Sequence, residues 1–274
     1  MNYLEMKTEK TAHNGFTLVE LLVVIAIIGI LASLLLPTLV STKAKAQATY
    51  CRNNLRQLGI ALISYTQENG TYPVYARLPK GSEVSGTKWY NDIMPNLPGG
   101  WSNGVYRCPT YRGRIFDYQP PSYISCSVGS YAYNGGSSSR PSSDGYFSQV
   151  YLYGLSKKSS DWWNSPEEMT AVRESEVQNP SDMIVLGDSL SRWYLLGSKK
   201  STLFSGIDFL SRKPGFYYDE GIVGASQRHH GKSHAVFADG HVEANTIQKL
   251  FFDVDDTSLR RWHIDNQPHS ELFQ

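Results

Sequence analysis

Residues 15–40 read GFTLVELLVVIAIIGILASLLLPTLV, and between Leu18 and Leu36 the only charged side chain is Glu20. Nineteen residues rising about 1.5 Å each cover roughly 28 Å, close to the hydrocarbon thickness of a bilayer. A helix lying on a soluble core is apolar along one stripe, whereas this one is apolar all round, so the stretch predicts a membrane-spanning helix. A secretory signal peptide has a shorter apolar run, about 7–15 residues, with its small-residue cleavage site after it. Here the run is longer and the small residue, Gly15, precedes it. A glutamate near the end of a span costs on the order of 1–3 kcal/mol unless something pairs with it. Glu20 therefore predicts a partner.

The rest of the composition fits a protein working outside the cytoplasm. Of the 274 residues 41% are hydrophobic and 19% charged, and the formal net charge is +1. A nearly neutral chain lacks the basic face of a nucleic-acid binder. Its 18 Tyr and 6 Trp, with Gly, Ser and Asn dense between residues 81 and 165, suit a loop-rich β domain. The length allows one or two domains with a sizeable core.

Gly15-Phe16-Thr17-Leu18-Val19-Glu20, the span behind it and Pro37 together resemble the start of type IV prepilins and type II secretion pseudopilins. The resemblance implies a leader at residues 1–15, cleavage between Gly15 and Phe16 by a prepilin peptidase, and N-methylation of Phe16. Cleavage would leave an ammonium group at the membrane edge. When such helices pack into a filament, Glu20 of one subunit can neutralise the Phe16 amine of a neighbour. Two charges leaving water together cost far less than either alone. Glu20 then sets register, as a polar residue does at a coiled-coil seam. In the leader Lys7 and Lys10 are offset by Glu5 and Glu9, while Lys43, Lys45, Arg52 and Arg56 follow the span. A strict positive-inside count favours the opposite orientation. The peptidase motif must face the cytoplasm, and it decides the orientation expected here.

Beyond Pro37, which predicts a kink or a locally melted turn, Ser41 to Glu68 reads as an amphipathic helix. Cys51, Leu55, Leu58, Leu62 and Tyr65 form one apolar stripe, and Arg52, Asn53, Arg56 and Gln57 lie away from it. Asn69-Gly70 supplies the stop, with Pro73 just beyond. Gly81–Gly104, Ser137–Ser143 and Ser156–Ser165 read as turn-rich surface loops. Met183–Leu186 reads as a short strand ended by Gly187-Asp188. Ala235–Ala238, Asp239-Gly240 and His241–Glu243 read as a hairpin on a two-residue type I′ turn, in which both central residues need positive φ. Ile247–Phe252 reads as a closing helix.

The segment CRNNLRQLGIALISYTQENGTYP (residues 51–73) and a later His229, nine residues, Asp239-Gly240 resemble a subset of the same family that carries a C-terminal His-x9-Asp-Gly motif. The patches Cys51-x-Asn53-Asn54-Leu55 and Arg107-Cys108-Pro109 are similar to that subset's text. The resemblance favours a Cys51–Cys108 disulfide over the pairings with Cys126, since exported domains meet an oxidising space.

Other chemistry has fewer residues behind it. His229, His230, His234 and His241, with Asp239 and Asp188 near them, could hold a transition metal, and Asp side chains with loop carbonyls elsewhere could hold calcium. The spacing matches no zinc module, so a structural hairpin with no cofactor is the default. His234, Val236 and Ala238 should share one face and Ala235 and Phe237 the other, with His241 coming into line with His234 across the turn. Gly187-Asp188-Ser189-Leu190 spells the nucleophile block of a lipase-like hydrolase family. The downstream Asp265 and His269 stand one residue further apart than that family's acid–base pair, and a serine without them is unactivated. The aromatic content could form a surface-binding patch.

The sequence thus predicts an α+β, pilin-like fold: a long N-terminal transmembrane and amphipathic helix packed on an antiparallel β-sheet head with long loops. The expected divisions are leader 1–15, assembly helix 16–37, amphipathic continuation 38–70 and extracytoplasmic head 71–274. The expected function is that of a non-enzymatic subunit of a pilus or pseudopilus. The resemblance implies as partners the prepilin peptidase, sister pilin or pseudopilin subunits, the inner-membrane platform and its ATPase, and the membrane; nucleic acid and small-molecule substrates are not indicated. A minor pilin or adhesin, and a membrane-anchored metal-binding or hydrolytic protein, are the alternatives.

Overall fold

In a computed structural model the described residues are 16–74, 89–99, 104–111, 116–118, 126–128, 130–134, 138–141, 147–150, 154–157, 170–188, 228–246, 248–253 and 255–270. The leader, Gly15, Ser189 and Leu190 lie outside them, as does most of the stretch from 74 to 170. The chain divides into two compact units, one ending at Lys43 and one beginning at Ala44.

Helix α1 runs from Leu18 to Asn69 without interruption, with Pro37 inside it. The predicted melting at Pro37 does not occur. Proline removes one intrahelical hydrogen bond, and nearby hydroxyls turn back onto the backbone: Ser33 Oγ donates to the Ile30 carbonyl at 2.7 Å and Thr38 Oγ1 to the Leu35 carbonyl at 2.8 Å. The helix ends as the sequence predicts. Gly70 takes φ +70° and its N–H caps the Thr66 carbonyl at 2.7 Å.

The centre of the second unit is a four-stranded antiparallel sheet in the order β10-β9-β8-β3, formed by Tyr131–Tyr133 (β3), Ile184–Asp188 (β8), Lys232–Phe237 (β9) and Val242–Thr246 (β10). Two-stranded pairs surround it in sequence: β1 (Phe116–Tyr118) with β2 (Cys126–Val128), β4 (Ser138–Pro141) with β5 (Phe147–Val150), and β6 (Ser156–Lys157) with β7 (Thr170–Ala171). All five residues of β8 and the last five of β9 are buried, as expected of inner strands covered on both faces.

The apolar stripe of α1 packs here. Cys51, Leu55, Leu58 and Leu62 are buried in one cluster with Tyr131, Tyr133, Val185, Leu186 and Val236, and Arg52, Asn53 and Arg56 stay exposed. Burying a leucine side chain contributes about 1.5–3 kcal/mol, so this stripe fixes which face of the helix meets the sheet. Polar contacts then set the axial position. Asn54 Nδ2 donates to the Arg107 carbonyl at 3.0 Å, and Tyr131 Oη to the Cys51 carbonyl at 3.4 Å. The opposite sheet face carries Phe237, with the Arg261 guanidinium 4.4 Å above its ring and His241 stacked at 4.3 Å. Beyond β10 the predicted closing helix is a single wide turn, Gln248–Phe252, followed by α3 (Asp256–Arg260), which Asp255 caps.

Three local expectations need correction. Residues 89–96 are not loop: Trp89–Ile93 forms helix α2, continued by a tighter turn at Met94–Asn96, and Trp89, Tyr90 and Ile93 are buried. Trp89 stacks on Tyr133 at 5.4 Å, so packing organises a stretch too short for periodicity to reveal. Ser138–Pro141 and Ser156–Lys157, also read as loop, are strands. The hairpin turn is not type I′, because Gly240 takes φ +88° while Asp239 does not take positive φ. Gly240 N–H donates to the Phe237 carbonyl at 2.8 Å and Phe237 N–H to the His241 carbonyl at 3.0 Å. This is a three-residue loop with one left-handed residue.

Candidate functional site

The first site is the head of α1. Every large apolar side chain from Leu18 to Leu36 is exposed, with Phe16 69% exposed. A continuous exposed apolar surface of this size marks a membrane or protein contact. This is the one helix among the described residues long and apolar enough to cross a bilayer. Thr17 N–H and Thr17 Oγ1 both donate to Glu20 Oε2, at 2.8 and 2.7 Å, and Glu20 N–H donates back to Thr17 Oγ1 at 3.2 Å. That reciprocal pattern is a capping box, which satisfies backbone donors that otherwise have no partner at a helix start. Its sequence signal is a Thr three residues before a Glu at the start of an apolar run, Thr17 and Glu20. Both local contacts fall on Oε2, and Oε1 accepts nothing among the described residues.

The second site is buried in the other unit. Cys51 and Cys108 are joined by a disulfide with Cα atoms 5.1 Å apart. Beside it His229 Nε2 lies 3.5 Å from Cys108 Sγ, 3.5 Å from Thr110 Oγ1 and 3.5 Å from Asp188 Oδ2. Asp188 Oδ2 also accepts from the His234 N–H at 2.8 Å and lies 3.0 Å from His234 Nδ1. Arg228 Nη1 is 3.9 Å from Asp188 Oδ1. Burial alone pushes the Asp188 carboxyl up, but the hydrogen bonds from His229 and His234, and then the charge of Arg228, hold it well below the usual carboxylate range.

The structure therefore brings Asp188, His229 and His234 together and leaves out the other three candidates. His230 is exposed. His241 does not align with His234, because it stands beside the turn opposite Phe237, while Ala244 stands opposite His234. His241 Nδ1 instead meets Asp239 Oδ1 at 2.6 Å. Beyond it a chain of ion pairs runs from Glu243 to Arg261 Nη2 (2.6 Å) and from Arg261 Nε to Asp182 (3.1 Å). Burial would raise Glu243, but its hydrogen bonds from Arg261 and Asn245 hold it down, at about 2. His269 Nε2 lies 2.8 Å from Asp265 Oδ2.

The two ends of the His229-to-Gly240 segment both meet α1 or its disulfide. His229 touches Cys108, whose bridge partner is on α1, and a Cβ built on Gly240 would come within 2.7 Å of Ile63 Cδ1. Read structurally, that spacing seats one hairpin against one helix.

Comparison with known proteins gives matches at the N-terminal part of the chain. Residues 10–36 match the family model described as prokaryotic N-terminal methylation motif, and residues 41–100 match the one described as protein of unknown function (DUF1559). The type II secretion system core protein G of Vibrio cholerae is 42% identical over 110 residues, 40% of this chain and 72% of that protein. The protein of the same name from Aeromonas hydrophila is 43% identical over 65 residues, 24% of this chain and 46% of the relative. The type IV major pilin protein PilA of Myxococcus xanthus is 38% identical over 64 residues, 23% and 29% respectively. Apart from the Vibrio cholerae protein, the chain spans less than half the length of these curated relatives. No solved structure matches significantly.

Proposed function

The chain belongs to the family of type II secretion pseudopilins and type IV pilins, and on that premise we propose that it is a structural subunit of a pilus or pseudopilus. A prepilin peptidase cuts between Gly15 and Phe16, and Phe16 is methylated. The exposed part of α1 anchors the subunit in the cytoplasmic membrane, with the second unit outside the cytoplasm, until a platform protein and ATPase pass it into the filament. Its work is assembly and not catalysis. The observation that carries this reading is the exposed apolar surface of α1 beneath a Glu20 whose Oε1 accepts nothing among the described residues. Exposed apolar area contributes roughly 25 cal/mol per Å² when it leaves water, which drives insertion and helix packing but cannot fix register. The carboxylate supplies register, because a neighbour's Phe16 ammonium accompanies it out of water at far lower cost than either charge alone.

Two variants separate the local from the intermolecular role of Glu20. Gln at this position still completes a capping box but carries no charge. Glu20→Gln should therefore accumulate as mature protein in the membrane and be absent from sheared filaments, as should Glu20→Ala. If Glu20→Gln enters filaments like wild type, Glu20 is a helix cap and the register role is wrong.

A further inference from the structure

We propose that Asp188, His229 and His234 form a binding site for a divalent ion of the zinc class, a role separate from assembly. The three donors come from three chain segments: the end of β8, the turn before β9, and β9 itself. Their ligand atoms lie within 4.8 Å of one another. Asp188 Oδ2 is 3.0 Å from His234 Nδ1 and 3.5 Å from His229 Nε2. A tetrahedral ion with bonds of about 2.0–2.1 Å holds its ligands roughly 3.3 Å apart, so each imidazole already stands near the required spacing from the carboxylate.

The surroundings suit an ion. All three residues are buried, Asp188 to 1% exposure; Asp188 Oδ1 and His229 Nδ1 have no hydrogen-bond partner among the described residues, but they are not the atoms that would hold the ion, which are Asp188 Oδ2 and His229 Nε2. Burying a carboxylate is costly, and a cation held between its Oδ2 and two imidazoles offsets that cost. Arg228 stands on the Oδ1 side at 3.9 Å, beyond hydrogen-bonding distance, and its guanidinium lies 5.3 Å from the Tyr111 ring. The Oδ2 side faces the two imidazoles. The backbone supports the same point: His229 and His230 take φ 49° and 58°, left-handed conformations that cost free energy in non-glycine residues and cluster where function requires them. That turn brings the His229 ring to Asp188.

Two imidazoles and one carboxylate suit zinc, nickel or copper better than calcium, which takes six or more oxygens. The Cys51–Cys108 bridge removes thiolate from the set, and Thr110 Oγ1, 3.5 Å from His229 Nε2, or a water is the fourth ligand.

The test uses the full-length chain in detergent, with no histidine tag, exchanged against zinc and desalted, with metal measured by mass spectrometry. The expected result is about one zinc per chain, visible d–d absorption of a low-symmetry site when cobalt replaces zinc, and a lower melting temperature after chelation. His234→Ala and Asp188→Asn should lose zinc by roughly tenfold or more, while His230→Ala and His241→Ala keep it. A folded wild-type protein that retains no zinc and gives no cobalt spectrum overturns the proposal, whatever the variants do. So does loss of zinc in His230→Ala or His241→Ala equal to that in His234→Ala.

Discussion

Single residues decide how closely the hairpin meets the helix. Glycine in a helix interior costs about 0.5–1 kcal/mol against alanine, so alanine at Gly59 should stabilise α1 taken alone. A Cβ there would stand 2.7 Å from Val236 Cγ1, with the Gly240 carbonyl oxygen 3.8 Å away. Overpacking of this kind costs about 1–3 kcal/mol, so the packing term wins. Gly59→Ala should lower the denaturant midpoint, and Gly59→Ala combined with Val236→Ala should recover part of the loss relative to Val236→Ala alone. A stabilised single variant would mean that the hairpin is looser than the structure shows. Gly240 is constrained twice, by φ +88° and by Ile63. The Asp-Gly pair announced a turn in the sequence, but the turn type depended on one residue's φ, which dipeptide identity does not determine. In the same way thirteen residues holding four histidines marked a cluster, and only the left-handed turn at His229 and His230 and the register of the hairpin sorted His229 and His234 from His230 and His241.

Elements show the same division between what periodicity reveals and what packing decides. The α1 stripe from Cys51 to Tyr65 was legible because one helix face meets one sheet, and the wholly apolar run before it was legible because nothing among the described residues covers it. Helix α2 was not legible: five residues hold too little pattern, and it is the burial of Trp89 and Tyr90 that orders them. The continuity of α1 through Pro37 was missed because a lost hydrogen bond need not break a helix that continues on both sides. Two tests belong to this scale. The Cys51–Cys108 bridge closes a loop of sequence separation 57, for which chain entropy gives about 4 kcal/mol at most and usually 2–4. Cys51→Ser with Cys108→Ser should lose that much stability by chemical denaturation, and dithiothreitol should have no effect on the double variant. Hairpin and α3 are tied by Glu243, Arg261 and Asp182. Because Glu243 is held below its unfolded value, its contribution is full above pH about 4.5 and is lost as pH falls through about 2. Wild type and Glu243→Gln should therefore differ most in melting temperature near neutrality and converge on acidification. A constant gap would place the effect in packing and not in charge.

At the scale of the whole molecule, each unit has its own burial logic. The unit ending at Lys43 keeps its apolar side chains exposed and so needs lipid or other subunits to be stable, whereas the unit beginning at Ala44 buries a core around α1 and the four-stranded sheet. The family signature was legible because it lies in contiguous residues, the matched stretch 10–36, and so does not depend on tertiary context. The His-x9-Asp-Gly spacing was legible as text, but its structural meaning was not, because it rests on a disulfide and on helix contacts far away in sequence. The measurement that tests the central claim most directly is mass spectrometry of the protein from native membranes and from sheared surface material. The account predicts a chain beginning at N-methylated Phe16, present in both fractions. A chain still beginning at Met1 and confined to the membrane would contradict it.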